Sequence, residues 1–164
     1  MSFPLFRIAG VFLVISVILS CEKEKSYVYQ VKDVHVKQPG SEKPNQKSTQ
    51  EFISIAYSDL FGTTITQTEL VKLNTAYSAF GDKKIIEDMI IKNFLNNIVV
   101  SIPSKATMQA DVNSFVINCY KKFYNRLPNA FEKWYVTNLI NSDATITPEL
   151  VYYSMMTANE YRYY

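Results

Sequence analysis

Few residues of this chain have the chemistry for catalysis, and their spacing scatters them. A metal site or a nucleophile–base pair needs its members held together by a rigid frame. The one histidine, His35, precedes a polar stretch, Gln38 to Gln50, that contains no apolar residue. No frame is expected around it. Cys119 lies one helical turn from both Phe115 and Phe123, which makes it a small core side chain rather than a reactive thiol. Glu69 and Glu132 look at first like a carboxylate pair. Each stands three residues after a capping residue, Thr66 or Asn129, where a carboxylate satisfies backbone N–H groups at a helix start. No glycine-rich phosphate loop, paired-cysteine, HExxH or GxSxG motif occurs. The expectation is a protein that is not an enzyme and has no cofactor or metal.

Two groups point to binding or to architecture instead. Arg126 stands between Asn125 and Pro128 in a sharp turn. Its planar fork suits a bidentate carboxylate partner, and Glu132 or Glu160 is expected to fill that role, clamping the turn to the last helix. Tyr152, Tyr153, Tyr161, Tyr163 and Tyr164 crowd the C-terminus. They cannot all face one core, so some are expected at the surface as an aromatic contact for protein or glycan.

The elements that position these residues read as helices. Phe52, Ala56 and Leu60 share one face, flanked by Ile53 and Tyr57, and Phe61-Gly62-Thr63-Thr64 ends that helix. Thr66 caps a second helix, which runs to Phe80 and is closed by Gly81 in the left-handed conformation. Asp82 caps a third, with Ile86, Met89, Ile90 and Phe94 inward. A loop containing Pro103 follows. The fourth helix covers 111–125, with Phe115, Cys119, Tyr120 and Phe123 inward. Asn129 starts the fifth, and Thr147 with Pro148 starts the sixth, which frays before Tyr164.

These six helices read as one three-helix unit written twice, over 51–100 and 111–164. A shift of 63 residues carries Phe52 onto Phe115, Tyr57 onto Tyr120 and Gly62 onto Asn125. The last pair are the residue types most tolerant of a left-handed backbone. Glu69 lands on Glu132. The fold class is therefore all-α, a pseudo-repeated pair of units preceded by a flexible tether.

The N-terminus has its own signature. Ile8 to Leu19 is apolar apart from Ser16, follows the single charge Arg7, and ends at Ile18-Leu19-Ser20-Cys21. The run is too short to span a bilayer of about 30 Å. It resembles a bacterial lipoprotein signal: residues 1–20 would be removed and Cys21 lipidated. The resemblance implies a diacylglyceryl thioether on Cys21, usually with an acylated amine. Glu22 rather than aspartate follows the cysteine, which implies the outer membrane, with the leaflet unassigned. Residues 21–50 read as the lipidated end and the tether. Within them Tyr27 to Val36 alternates, as an extended linker or as a strand added to a partner's sheet.

Phe115, Tyr120, Tyr124-Asn125-Arg126, Pro128, Glu132, Trp134 and Asn159-Glu160-Tyr161-Arg162 resemble a widespread bacterial helical domain of unknown function, related in pattern to phycobilisome linker domains. Thr157 stands near a position that is usually serine. The first unit departs from the pattern, with Thr63 and Ile65 in place of the arginine and proline. The resemblance implies a helical module of secreted or surface proteins, without shared catalytic residues.

Charge adds a limit. The chain holds 17 Lys+Arg against 15 Asp+Glu, a near balance that offers no field for nucleic acid. The expected function is a lipid-anchored binding or scaffold subunit of an envelope complex, with a membrane and a protein as partners. The alternative is a small-ligand carrier or enzyme using a pocket between the two units.

Overall fold

A computed structural model describes residues 43–163. Cys21, His35, the Tyr27–Val36 segment and Tyr164 lie outside the described residues. Within them the chain is all-helical. The helices are α1 (Thr49–Phe61), α2 (Gln67–Ala79), α3 (Lys83–Leu95), α4 (Lys105–Ala110), α5 (Val112–Tyr124), α6 (Ala130–Ser142) and α7 (Pro148–Thr157), closed by a 3₁₀ turn over Asn159–Arg162. No helix among the described residues is long and apolar enough to cross a membrane.

Local chemistry sets most helix starts. Ser48 and Glu51 form a reciprocal capping box on α1, as Asn129 and Glu132 do on α6. Thr66 accepts from the Glu69 N–H at the start of α2, and Asp82 accepts from the Lys84 and Ile85 N–H groups at the start of α3. Thr147 caps α7, with Pro148 at its first position. α1 and α5 both end on a left-handed residue, Gly62 (φ 68°) and Asn125 (φ 52°). These are residue types that reach that region at low steric cost.

Several expectations are corrected. There are seven α-helices rather than six among the described residues, because the stretch after Pro103 forms α4, capped by Ser104. Six residues carry too few turns for a periodic pattern, yet α4 buries Met108. Gly81 does not take the left-handed conformation; α2 ends on an extended Phe80 instead. Met89 faces solvent while Ile91 and Glu87 turn inward. The face of α3 is set partly by polar partners: Glu87 pairs with Arg162 at 3.2 Å and accepts from the Tyr77 hydroxyl at 3.0 Å.

α1 lies at the centre. Phe52, Ile53, Ala56 and Leu60 are completely buried. α1 packs on α2 and α3, α3 packs on α7, and α5 packs on α6 and α7. One apolar cluster runs through all seven helices and the 3₁₀ turn. Each large aliphatic or aromatic side chain in it contributes about 1.5–3 kcal/mol by leaving water.

Gln46 and Lys47, which fall within the stretch expected to be a tether, contact the C-terminal turn. Lys47 donates its backbone N–H to the Arg162 carbonyl at 2.8 Å, and Gln46 bridges to Tyr163. The Lys47 ammonium donates to the Tyr161 carbonyl and sits 4.1 Å from the Tyr161 ring centroid. Burial lowers its pKa to about 8. These contacts also explain why α7 stops at Thr157 instead of running on. The 3₁₀ turn aims the Tyr161 and Arg162 carbonyls at the incoming segment, where they satisfy donors that would otherwise be buried unpaired.

Candidate functional site

Arg126 sits where the α5–α6 turn meets the C-terminus. Its Nε and Nη2 donate to Glu160 at 2.6 and 2.8 Å, and its Nη1 and Nη2 donate to Glu132 at 2.8 and 2.7 Å. The guanidinium carbon lies 5.1 Å from the Tyr120 ring centroid and 5.7 Å from that of Tyr124. The structure thus brings Arg126, Glu132 and Glu160 together. Lys43 adds a fourth charge, 3.8 Å from Glu160. Hydrogen bonds from Arg126 hold the Glu132 carboxyl below its usual pKa, against the opposing effect of burial. Glu132 also accepts from the Asn129 N–H at 2.8 Å, so one carboxylate fixes both the clamp and the first turn of α6.

What that turn orients is α6 itself, and α6 has an unusual face. It fully buries only Ile140. Phe131 and Trp134 are 68% and 60% exposed, and Tyr135 and Leu139 are exposed beside them. Phe131 stacks on Tyr135 with centroids 6.1 Å apart and lies 5.9 Å from Trp134. Leu127, in the clamped turn, is exposed as well. A contiguous aromatic surface of this kind marks an interaction site more often than scattered exposed residues do. Between α5 and α6, next to Trp134, runs a groove of about 400 Å³ lined by Asn113, Lys133, Thr137, Asn138 and Asn141.

The expected tyrosine surface is corrected in part. Tyr161 is completely buried and Tyr152 nearly so. Tyr161 meets Phe52 and Phe123 edge-on and donates its hydroxyl to Asp59 at 2.7 Å. Tyr152 stacks on Phe115 and meets Phe123. Tyr153 is half-buried and donates to Asp88. Tyr163 is exposed, and Tyr164 lies outside the described residues. The aromatic surface therefore sits on α6, not on the last helix. One signal for it was present: Phe131 and Ile140 are nine residues apart, about two and a half turns, and so lie on opposite sides of one helix. Both sides are apolar, and only one can be buried.

Clefts also lie along the seam between α3 and α7. One of about 510 Å³ is lined by Tyr77, Lys83, Lys84, Glu87, Asn159 and Arg162. Its lysines and Glu87 are already engaged. Lys83 donates to the Tyr77 and Phe80 carbonyls, Lys84 donates to the Thr157 carbonyl, and Glu87 holds Arg162 and Tyr77. They brace the seam.

Cys119 is buried, and burial pushes its thiol up to about 12. Native protein at neutral pH is expected to leave Cys119 unlabelled by a thiol reagent, and urea to expose it. Peptide mapping checks this; rapid native labelling would contradict the core placement.

Compared with protein-family models, curated proteins and solved structures, the chain shows no significant match.

Proposed function

We propose that this chain is a lipid-anchored binding module of the bacterial cell envelope, a non-catalytic scaffold or accessory subunit at the outer membrane. The observation that carries the reading is the outward aromatic face of α6, built from Phe131, Trp134 and Tyr135 and held in place by the Arg126 clamp. The described residues leave more than half of each of these residues uncovered, so a use for the face is sought in a partner. The resemblance of Ile18-Leu19-Ser20-Cys21 to a lipoprotein signal supplies the anchor. Lipid chains hold by about 0.8 kcal/mol per buried methylene, and tethering raises local concentration at a membrane-bound partner.

The helices fit a pseudo-repeat, α1–α3 and α5–α7, with α4 as the link. Supporting it are the paired left-handed ends at Gly62 and Asn125 and the paired caps at Thr66 and Asn129. The likeness of the second unit to a helical domain of unknown function rests on the residues named above. A ligand carrier or enzyme using the seam between the units is the weaker reading, since Lys83, Lys84 and Glu87 there are engaged by neighbouring groups.

Mild-detergent extraction of envelopes followed by capture of the full lipoprotein tests the proposal. A specific envelope component should co-purify, and Trp134→Ala should lose it without loss of folding. Cys21→Ala should leave an uncut precursor or release the protein from the membrane. Retention of the component by Trp134→Ala would refute the role of α6. Unchanged size and membrane retention in Cys21→Ala would refute the anchor.

A further inference from the structure

We infer that the groove between α5 and α6 binds a saccharide chain of low net charge. The inference rests on the proposed binding role of α6 and names its ligand class.

The lining is the argument. Trp134 forms one wall as a broad, 60% exposed ring. A pyranose ring carries its C–H bonds on a weakly positive face, which stacks on the negative face of an indole. The rest of the lining is mainly amide. Asn113, Asn138 and Asn141 each present a carbonyl acceptor and two N–H donors. Sugar hydroxyls donate and accept at once, and amides match both roles. The side chains of these three residues make no hydrogen bond to another described residue.

Charge points the same way. Among the described residues Lys133 is the one charged member of the lining, and it lies within electrostatic reach of Asp111 on the neighbouring element. The groove therefore offers no net cationic field for a polyanion. A protein surface fits less well, because apolar contact would strand three amides, and each stranded buried polar group opposes binding. The lining from Ala130 to Asn141 extends along α6 for about 16 Å at helical rise, a length for a chain rather than a single sugar.

Two chemistries supply such chains: neutral polymers of acetamido sugars and neutral glucans without the acetamido group. Calorimetric titration of the full chain in detergent, with chito-oligosaccharide and with cello-oligosaccharide, separates them. Binding tighter than about 1 mM is expected for at least one. Trp134→Ala should weaken it about tenfold or more, with helicity and melting unchanged; Trp134→Tyr should retain most of it. Phe80→Ala, an exposed aromatic change at the end of α2, should leave it unchanged.

No binding of either oligosaccharide would overturn the inference, as would binding unaffected by Trp134→Ala, or binding only of a polygalacturonate oligomer. If both titrations fail while Trp134→Ala still loses its envelope component, α6 binds a protein. The saccharide inference then falls alone. If Trp134→Ala changes neither result, the binding role of α6 falls with it.

Discussion

Arg126→Ala is expected to lower the unfolding free energy by about 2–3 kcal/mol. An exposed ion pair contributes under about 1 kcal/mol, and breaking a buried one costs about 3–5 kcal/mol. The clamp lies between these limits, with side chains 19% exposed at Arg126, 25% at Glu132 and 31% at Glu160. The variant removes four charge-assisted hydrogen bonds and leaves two carboxylates close to each other. Urea melts at neutral pH read the loss. The effect should depend on pH with a definite sign. Arg126 depresses the folded pKa of Glu132, so this stabilisation is present above the unfolded glutamate value of about 4.3 and disappears as pH falls through the folded value. Wild type and variant should converge in acid. Thr63→Ala, at the corresponding turn after α1, is exposed and should shift stability by less than about 0.5 kcal/mol. Unchanged stability in Arg126→Ala combined with lost binding would make Arg126 a ligand contact rather than a clamp.

Tyr161→Ala is expected to be more damaging, at about 3–5 kcal/mol. Its ring is completely buried between Phe52 and Phe123, so truncation opens a cavity at the junction of α1, α5 and the C-terminus. It also removes the partner of Asp59, a carboxyl whose pKa burial already raises, and the ring under the Lys47 ammonium. A domain of this size has about 5–15 kcal/mol in total, so the variant should be close to unfolding at physiological temperature. Tyr161→Phe keeps the ring and loses only the hydroxyl, for about 1–3 kcal/mol. Thermal and urea melts of the pair separate cavity from hydrogen bond. Limited proteolysis adds a local readout: cleavage within 43–48 should rise in Tyr161→Ala, since that segment docks on the 3₁₀ turn. A loss under about 1 kcal/mol would mean that the turn is not packed as described.

Much of the helical frame was legible because its signals are local. Asp82, Asn129 and Thr147-Pro148 mark helix starts within a single turn of backbone. The inward faces of α1 and α5 follow from apolar spacing alone, and Phe52, Leu60, Phe115, Cys119 and Phe123 are all buried. A guanidinium beside a rigid turn needs carboxylates; Glu132 is the nearest in sequence, whereas Glu160 is 34 residues away and is delivered by the C-terminal turn. α4 was missed because six residues show no period. Gly81 was misread because a glycine after a helix permits the left-handed conformation without requiring it.

The sequence by itself determined the helical character of the described residues and most of the caps, since each depends on neighbours within a few positions; of the clamp, Glu132 is near Arg126 in the chain, while Glu160 is brought to it by the fold. Only the tertiary structure decided which aromatic residues are hidden. Tyr161 lies in a polar, tyrosine-rich tail yet is completely buried, because the 3₁₀ turn folds back between α1 and α5. Trp134 belongs to a helix with two apolar sides, and α5 covers the side that holds Ile140. Periodicity measures how apolar each face of a helix is. Which face finds a neighbour depends on contacts far apart in the chain, and here that choice leaves the aromatic face of α6 open.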